Sequence, residues 1–173
     1  MERLNLLLKG SNWPIAAIIL SAAMLAVAHG FERIGGMLPC PLCLRQREVY
    51  WAIIAMAITG LALWKFVPKR RFIVTLDIMI GLAFIVGVIV AGFHSGVEWG
   101  IFPAPAGCGS ASEIDPFNLD NLDSKVIIPV CNEAPFYFLG LSMAGWNVIA
   151  SAVLAALSFI AAAASFPRWR TDT

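Results

Sequence analysis

Cys40 and Cys43 form a C-x-x-C, and Cys108 and Cys131 bracket a further 22 residues, so the four cysteines of the 173-residue chain make two pairs with none spare. A bridge across two intervening residues closes too small a ring to stabilise a fold much, and the close pair therefore points to redox or metal chemistry. The wider pair fits a structural staple as well as it fits a redox couple. Four thiolates could hold zinc tetrahedrally, but zinc ribbons pair two close-spaced knuckles, and Cys108 and Cys131 are spread too far for that. Sulfur redox chemistry is the reading that the spacing favours.

The residues around the close pair supply a means. In Pro39-Cys40-Pro41-Leu42-Cys43-Leu44-Arg45-Gln46-Arg47, Pro41 suits the first turn of a helix, where its missing N–H costs nothing. Cys43 then lies near a helix start, where free amides and the helix dipole favour thiolate over thiol. Arg47, four residues on, shares its face. A guanidinium there can stabilise a Cys43 thiolate and donate to a carbonyl oxygen that gains charge on reduction. The plainer role of an interfacial arginine reaching lipid phosphates fits Arg45 better. Glu98 reads as an exposed loop carboxylate, and His29 and Glu32 as ordinary loop residues. Asp77 falls inside an apolar run, where an ionisable side chain is a functional suspect, yet its closeness to Arg71 favours an interfacial pair.

The elements that must position these residues are membrane spans. The chain is 60% hydrophobic and 13% charged, with a mean hydropathy of +0.81, which leaves no room for a separate soluble catalytic domain. Four runs approach the roughly 20 apolar residues that a hydrocarbon core requires. They cover about 13–30, 41–64, 72–93 and 141–166, so the expected fold is an all-α membrane protein, an antiparallel four-helix bundle. The first run follows Arg3 and Lys9 and ends in Ala26-Val27-Ala28, as a cleaved signal peptide does, but its length favours a retained span. Eight Lys and Arg residues collect on one side of the spans and four on the other. The positive-inside rule thus expects both termini in the cytoplasm and two outer loops, about 29–48 and 94–140, which hold all four cysteines. In an oxidising compartment each loop would carry one disulfide. The formal charge of +1, with no basic cluster away from the spans, gives no footprint for nucleic acid. Trp13, Trp51, Trp64, Trp99 and Trp169 fall where an aromatic belt is expected.

Three segments together resemble the bacterial DsbB disulfide-forming proteins, and with the spans the resemblance covers essentially the whole chain. They are Pro39-Cys40-x-Leu42-Cys43-x-x-Gln46-Arg47, then His94-Ser95-Gly96-Val97-Glu98-Trp99-Gly100, then Cys131 followed by Phe138-Leu139-Gly140-Leu141-Ser142-Met143-Ala144-Gly145-Trp146. The resemblance implies a multi-pass protein of the bacterial inner membrane that reoxidises a DsbA-like periplasmic thiol oxidase. It implies that electrons pass from the partner to Cys108 and Cys131, then to Cys40 and Cys43, and finally to ubiquinone or menaquinone in the membrane quinone pool. Arg47 and His94 would lie beside that quinone. An amphipathic piece over Ile114 to Ile128 would lie on the membrane and let Cys131 approach Cys40. Two other readings compete. A quinone-linked reductase of the vitamin K epoxide reductase type also sets a C-x-x-C beside a quinone, but late in its chain. A membrane scaffold stapled by two bridges would be inert.

Overall fold

A computed structural model describes residues 11–108 and 130–166 of the chain. Four helices dominate it: α1 (Asn12–Arg33), α2 (Pro41–Trp64), α3 (Arg70–Glu98) and α4 (Met143–Ser165). Each is long and apolar enough to cross a membrane. The amphipathic piece expected over residues 114–128 lies outside the described residues, as do Arg3, Lys9, Lys125, Arg168, Trp169 and Arg170.

The helix ends follow from local chemistry. α2 begins as expected, because Cys40 caps it and Pro41 occupies its first position. α3 runs on to Glu98, five residues past the expected end, until Gly100 leaves helical space at φ 70°. His94, Ser95, Gly96 and Val97 are buried there, so the packing that stabilises them also keeps them helical. The connection between α1 and α2 accordingly covers only residues 34–40, and His29 and Glu32 belong to α1. Before α4 stands a small addition to the all-α expectation, a hairpin of β1 (Tyr137–Phe138) and β2 (Leu141–Ser142). Its turn has two positive φ values, 51° at Leu139 and 79° at Gly140, the geometry that matches the twist of paired strands. Ser142 then caps α4, its Oγ accepting the Gly145 N–H at 3.1 Å.

Small and hydroxylated residues hold the bundle together. A stripe of Ile73, Leu76, Ile80, Phe84, Gly87 and Ala91 on α3 is buried at helical spacing. Facing it, α4 buries Ala144, Ser151, Ala155, Ser158 and Ala162. A Cβ on Gly87 would stand 3.1 Å from Ser151 Oγ, and one on Gly81 would stand 3.1 Å from the Phe159 ring. Lipid gives helices little hydrophobic reason to associate, so such close approach and cross-helix polar contacts do the work. Trp13 supplies one of these contacts. Expected at the lipid boundary, it is only 3% exposed and donates from Nε1 to Ser158 Oγ at 3.1 Å.

Asp77 also departs from expectation. It is fully buried, and neither carboxylate oxygen has a hydrogen-bond partner among the described residues, while Arg71 is exposed. Six helical steps place the two residues about 120° apart around the axis, so closeness in sequence does not make a pair. An ionised carboxylate buried without a partner costs more than the roughly 1–3 kcal/mol of an unsatisfied neutral group, and its neutral isostere removes that excess. Asp77→Asn is therefore expected to raise the thermal unfolding midpoint in detergent; a lowered midpoint would mean that the carboxylate has a stabilising partner.

Candidate active site

The start of α2 builds the thiol pair. Cys40 is extended (φ −74°, ψ 164°), so its side chain turns back over the first helical turn and Sγ accepts the Cys43 N–H at 3.2 Å. Both cysteines are free thiols, with their Sγ atoms 2.9 Å apart. The amide expected to favour a Cys43 thiolate serves Cys40 instead, because a cap residue reaches forward to the third helical N–H whereas Cys43 supplies that N–H itself. The Cys43 side chain does most to push the Cys40 thiol below its ordinary range, and the Cys43 amide adds a smaller effect in the same direction. Burial opposes this shift, and His94 reinforces it.

His94 comes from α3, one helical turn before Glu98. Its Nε2 lies 3.6 Å from Cys40 Sγ and 3.7 Å from Glu98 Oε1. Glu98 is not an exposed carboxylate, for its side chain is 3% exposed and Ser142 Oγ donates to it at 2.5 Å. On the other side of the ring, Gln46 Nε2 lies 2.7 Å from His94 Nδ1. Asn147 of α4 donates from Nδ2 to Gln46 Oε1, and Tyr50 of α2 donates to Asn147 Oδ1. Ser151 closes the set, 3.1 Å from the Tyr50 hydroxyl. The sequence marks Gln46 only as part of the C-x-x-C segment and gives Tyr50, Asn147 and Ser151 no role. Their signal was polar groups four residues apart on two apolar runs, which places each pair on one helix face.

Arg47 has partners in α1. It is ion-paired with Glu32 and donates to the Ala28 carbonyl at 3.2 Å. Expected to stand over Cys43, the guanidinium is instead drawn toward the carboxylate that α1, longer than expected, brings into reach.

The two cysteine pairs meet. Cys108 and Cys131 are joined in a disulfide, and they pack with Cys40, Leu42 and Val97 in one buried cluster that Cys43 borders. A four-thiolate zinc site cannot form while that bridge exists. Among the described residues, the possible metal donors that converge are Cys40, Cys43 and His94, with ligand atoms within 4.8 Å of one another. Beside the thiols opens a mainly apolar cavity of about 860 Å³. Leu25, Phe31 and Trp146 contribute to its apolar wall, and Cys40, Cys43, Arg47 and His94 contribute its reactive and polar points.

The chain resembles known proteins over nearly its full length. The family model for disulfide bond formation protein DsbB matches residues 11–161. Disulfide bond formation protein B of Pasteurella multocida is 30% identical over 163 residues, covering 88% of this chain and 86% of that protein. The protein of the same name from Nitrosomonas eutropha is 32% identical, covering 81% of this chain and 85% of its own. The one from Nitrosomonas europaea is 30% identical over 83% and 85%. No solved structure matches significantly. With four membrane-spanning helices, a close dithiol and a disulfide packed against it, the chain belongs to the DsbB family of disulfide bond formation proteins, membrane oxidoreductases that oxidise thiols.

Proposed function

We propose that this protein is a protein-dithiol:quinone oxidoreductase of the bacterial inner membrane, reoxidising a DsbA-like periplasmic thiol oxidase. The carrying observation is that the Cys108–Cys131 bridge packs against Cys40, which together with Cys43 lines one apolar cavity. In this reading the helices run antiparallel, both termini are cytoplasmic, and Cys40, Cys43, Cys108 and Cys131 all face the periplasm.

The chemistry is thiol–disulfide exchange. A reduced partner attacks Cys108 of the Cys108–Cys131 bridge, and its second thiolate then displaces Cys108, leaving the partner oxidised and both cysteines reduced. Cys131 attacks Cys40 of the oxidised close pair and releases Cys43. Cys108 next attacks Cys131, which restores the outer bridge and leaves Cys40 and Cys43 as a dithiol. The cavity suits a quinone, since it is large and apolar with a few convergent polar groups. Arg47 and His94 would hold its carbonyl oxygens. When bound there, a quinone would supply the two-electron, two-proton acceptor that lets the Cys40 and Cys43 thiols close to a disulfide.

The test is turnover. Purified protein given reduced DsbA-like protein and a short-chain ubiquinone or menaquinone should consume quinone and partner thiols in a ratio of one to two. Partner oxidation without quinone loss, or no reaction at all, would overturn the reading, and an inert protein would favour a stapled scaffold.

A further inference from the structure

The geometry points to Gln46, Asn147 and Tyr50 as positioning residues for thiol oxidation, a hydrogen-bonded chain across two helices that holds His94 with its Nε2–H toward Cys40. The inference rests on the reading that Cys40 and Cys43 are the pair the oxidant reoxidises.

The direction of the chain follows from what each group can donate. Asn147 Oδ1 faces two hydroxyls, that of Tyr50 and, at 3.5 Å, that of Ser151. Hydroxyls accept as readily as they donate, so the direction is set at the histidine: Nε2 faces the Glu98 carboxylate, which only accepts, at 3.7 Å, and the Asn147 NH₂ accordingly faces Gln46 Oε1. With its oxygen occupied, Gln46 presents its own NH₂ to His94 Nδ1 at 2.7 Å. A neutral imidazole has one N–H, and a ring nitrogen that accepts cannot also be the donor. The proton is therefore on Nε2, the nitrogen that lies 3.6 Å from Cys40 Sγ.

Burial makes the chain informative. Gln46, Tyr50, His94, Asn147 and Ser151 are each at most 8% exposed, and all but Ser151 line the cavity beside the thiols. Away from the thiols, the Trp13 contact with Ser158 continues only to the Leu154 carbonyl one turn earlier on the same helix. A connected set that ends on the imidazole facing a reactive sulfur fixes a tautomer as well as a helix. The benefit falls on the reduced pair. Nε2–H donates to a Cys40 thiolate and stabilises the ionised sulfur that the reduced pair presents, while the proton stays on Nε2. Besides Cys40, the groups that face or border His94 are Cys43 from α2, Glu98 from α3, and Arg47 and Glu133 around the cavity.

The chain holds only two histidines, which makes the tautomer directly visible. In ¹⁵N-histidine-labelled His29→Gln protein, kept reduced in detergent or nanodiscs, the single remaining ring should show a protonated Nε2 and an unprotonated Nδ1. Gln46→Leu should lose that preference. It should also slow Cys40–Cys43 oxidation by a short-chain ubiquinone about tenfold and shift the midpoint of Cys40 alkylation by iodoacetamide to higher pH. Asn147→Leu should follow in the same direction, and Tyr50→Phe should do so more weakly. Should Gln46→Leu fail to fold, Gln46→Glu keeps the shape while turning the donor into an acceptor, and the ring proton should move to Nδ1. A folded Gln46 variant with the parental tautomer, rate and alkylation profile would overturn the inference, even if its thermal stability fell. Persistence of quinone reduction in Cys43→Ser would instead sink the underlying redox reading while leaving the tautomer signal intact.

Discussion

Cys43→Ser is expected to eliminate catalytic turnover while leaving one stoichiometric exchange. The Cys108–Cys131 bridge is unaffected by the substitution, so a reduced partner can still surrender one pair of electrons to it. The next transfer needs a disulfide between residues 40 and 43, and serine cannot form one. Quinone consumption should fall to the uncatalysed background, a loss of at least about 1,000-fold on the scale of removing a covalent nucleophile. One equivalent of partner should still be oxidised per protein in a rapid quench. Sustained turnover above about one hundredth of the parental rate would mean that electrons leave by another path.

Arg47→Ala is expected to weaken quinone reduction by about 10- to 100-fold, the effect of losing a charged hydrogen bond of about 1.5–3 kcal/mol. The structure adds a complication, since the guanidinium is paired with Glu32 and bound to the Ala28 carbonyl. Removing it also leaves an unpaired carboxylate near the cavity wall. A double variant separates the two effects. If Arg47 acts on the bound oxidant, Arg47→Ala with Glu32→Ala stays impaired, with a raised KM for short-chain quinone. Recovery of the parental KM would assign Arg47 a purely structural pairing role. Arg47→Lys should fall between, because a single ammonium cannot reproduce two N–H donors held in a plane.

The spans were legible because hydropathy and length report directly on what lipid demands. The start of α2 was legible as well, since Pro41 has few places to stand other than a first turn. What the sequence concealed were partnerships, which depend on helix rotation and on contacts between distant segments. Glu98 looked like a loop carboxylate because the run His94–Glu98 is polar, yet it is helical and its side chain is buried beside His94 and Ser142. Asp77 and Arg71 are close in sequence but do not share a helix face. The hairpin before α4 left only Gly140 as a cue, since Leu139 adopts positive φ against its own preference. Tyr50 and Asn147 were hidden for a further reason. A single polar residue on an apolar run is unremarkable until another helix supplies its partner.

The central claim is that the thiols of Cys40 and Cys43 are the direct electron donors to a quinone held beside them. A single-turnover experiment reads this most directly. Fully reduced protein is mixed anaerobically with one equivalent of short-chain ubiquinone, quinone absorbance is followed, and the remaining thiols are mapped by alkylation and mass spectrometry after a rapid quench. The account predicts that quinone absorbance is lost in step with formation of a Cys40–Cys43 disulfide, before Cys108 and Cys131 change. Quinone loss with both of these thiols still alkylatable, or a Cys108–Cys131 bridge formed first, would contradict it.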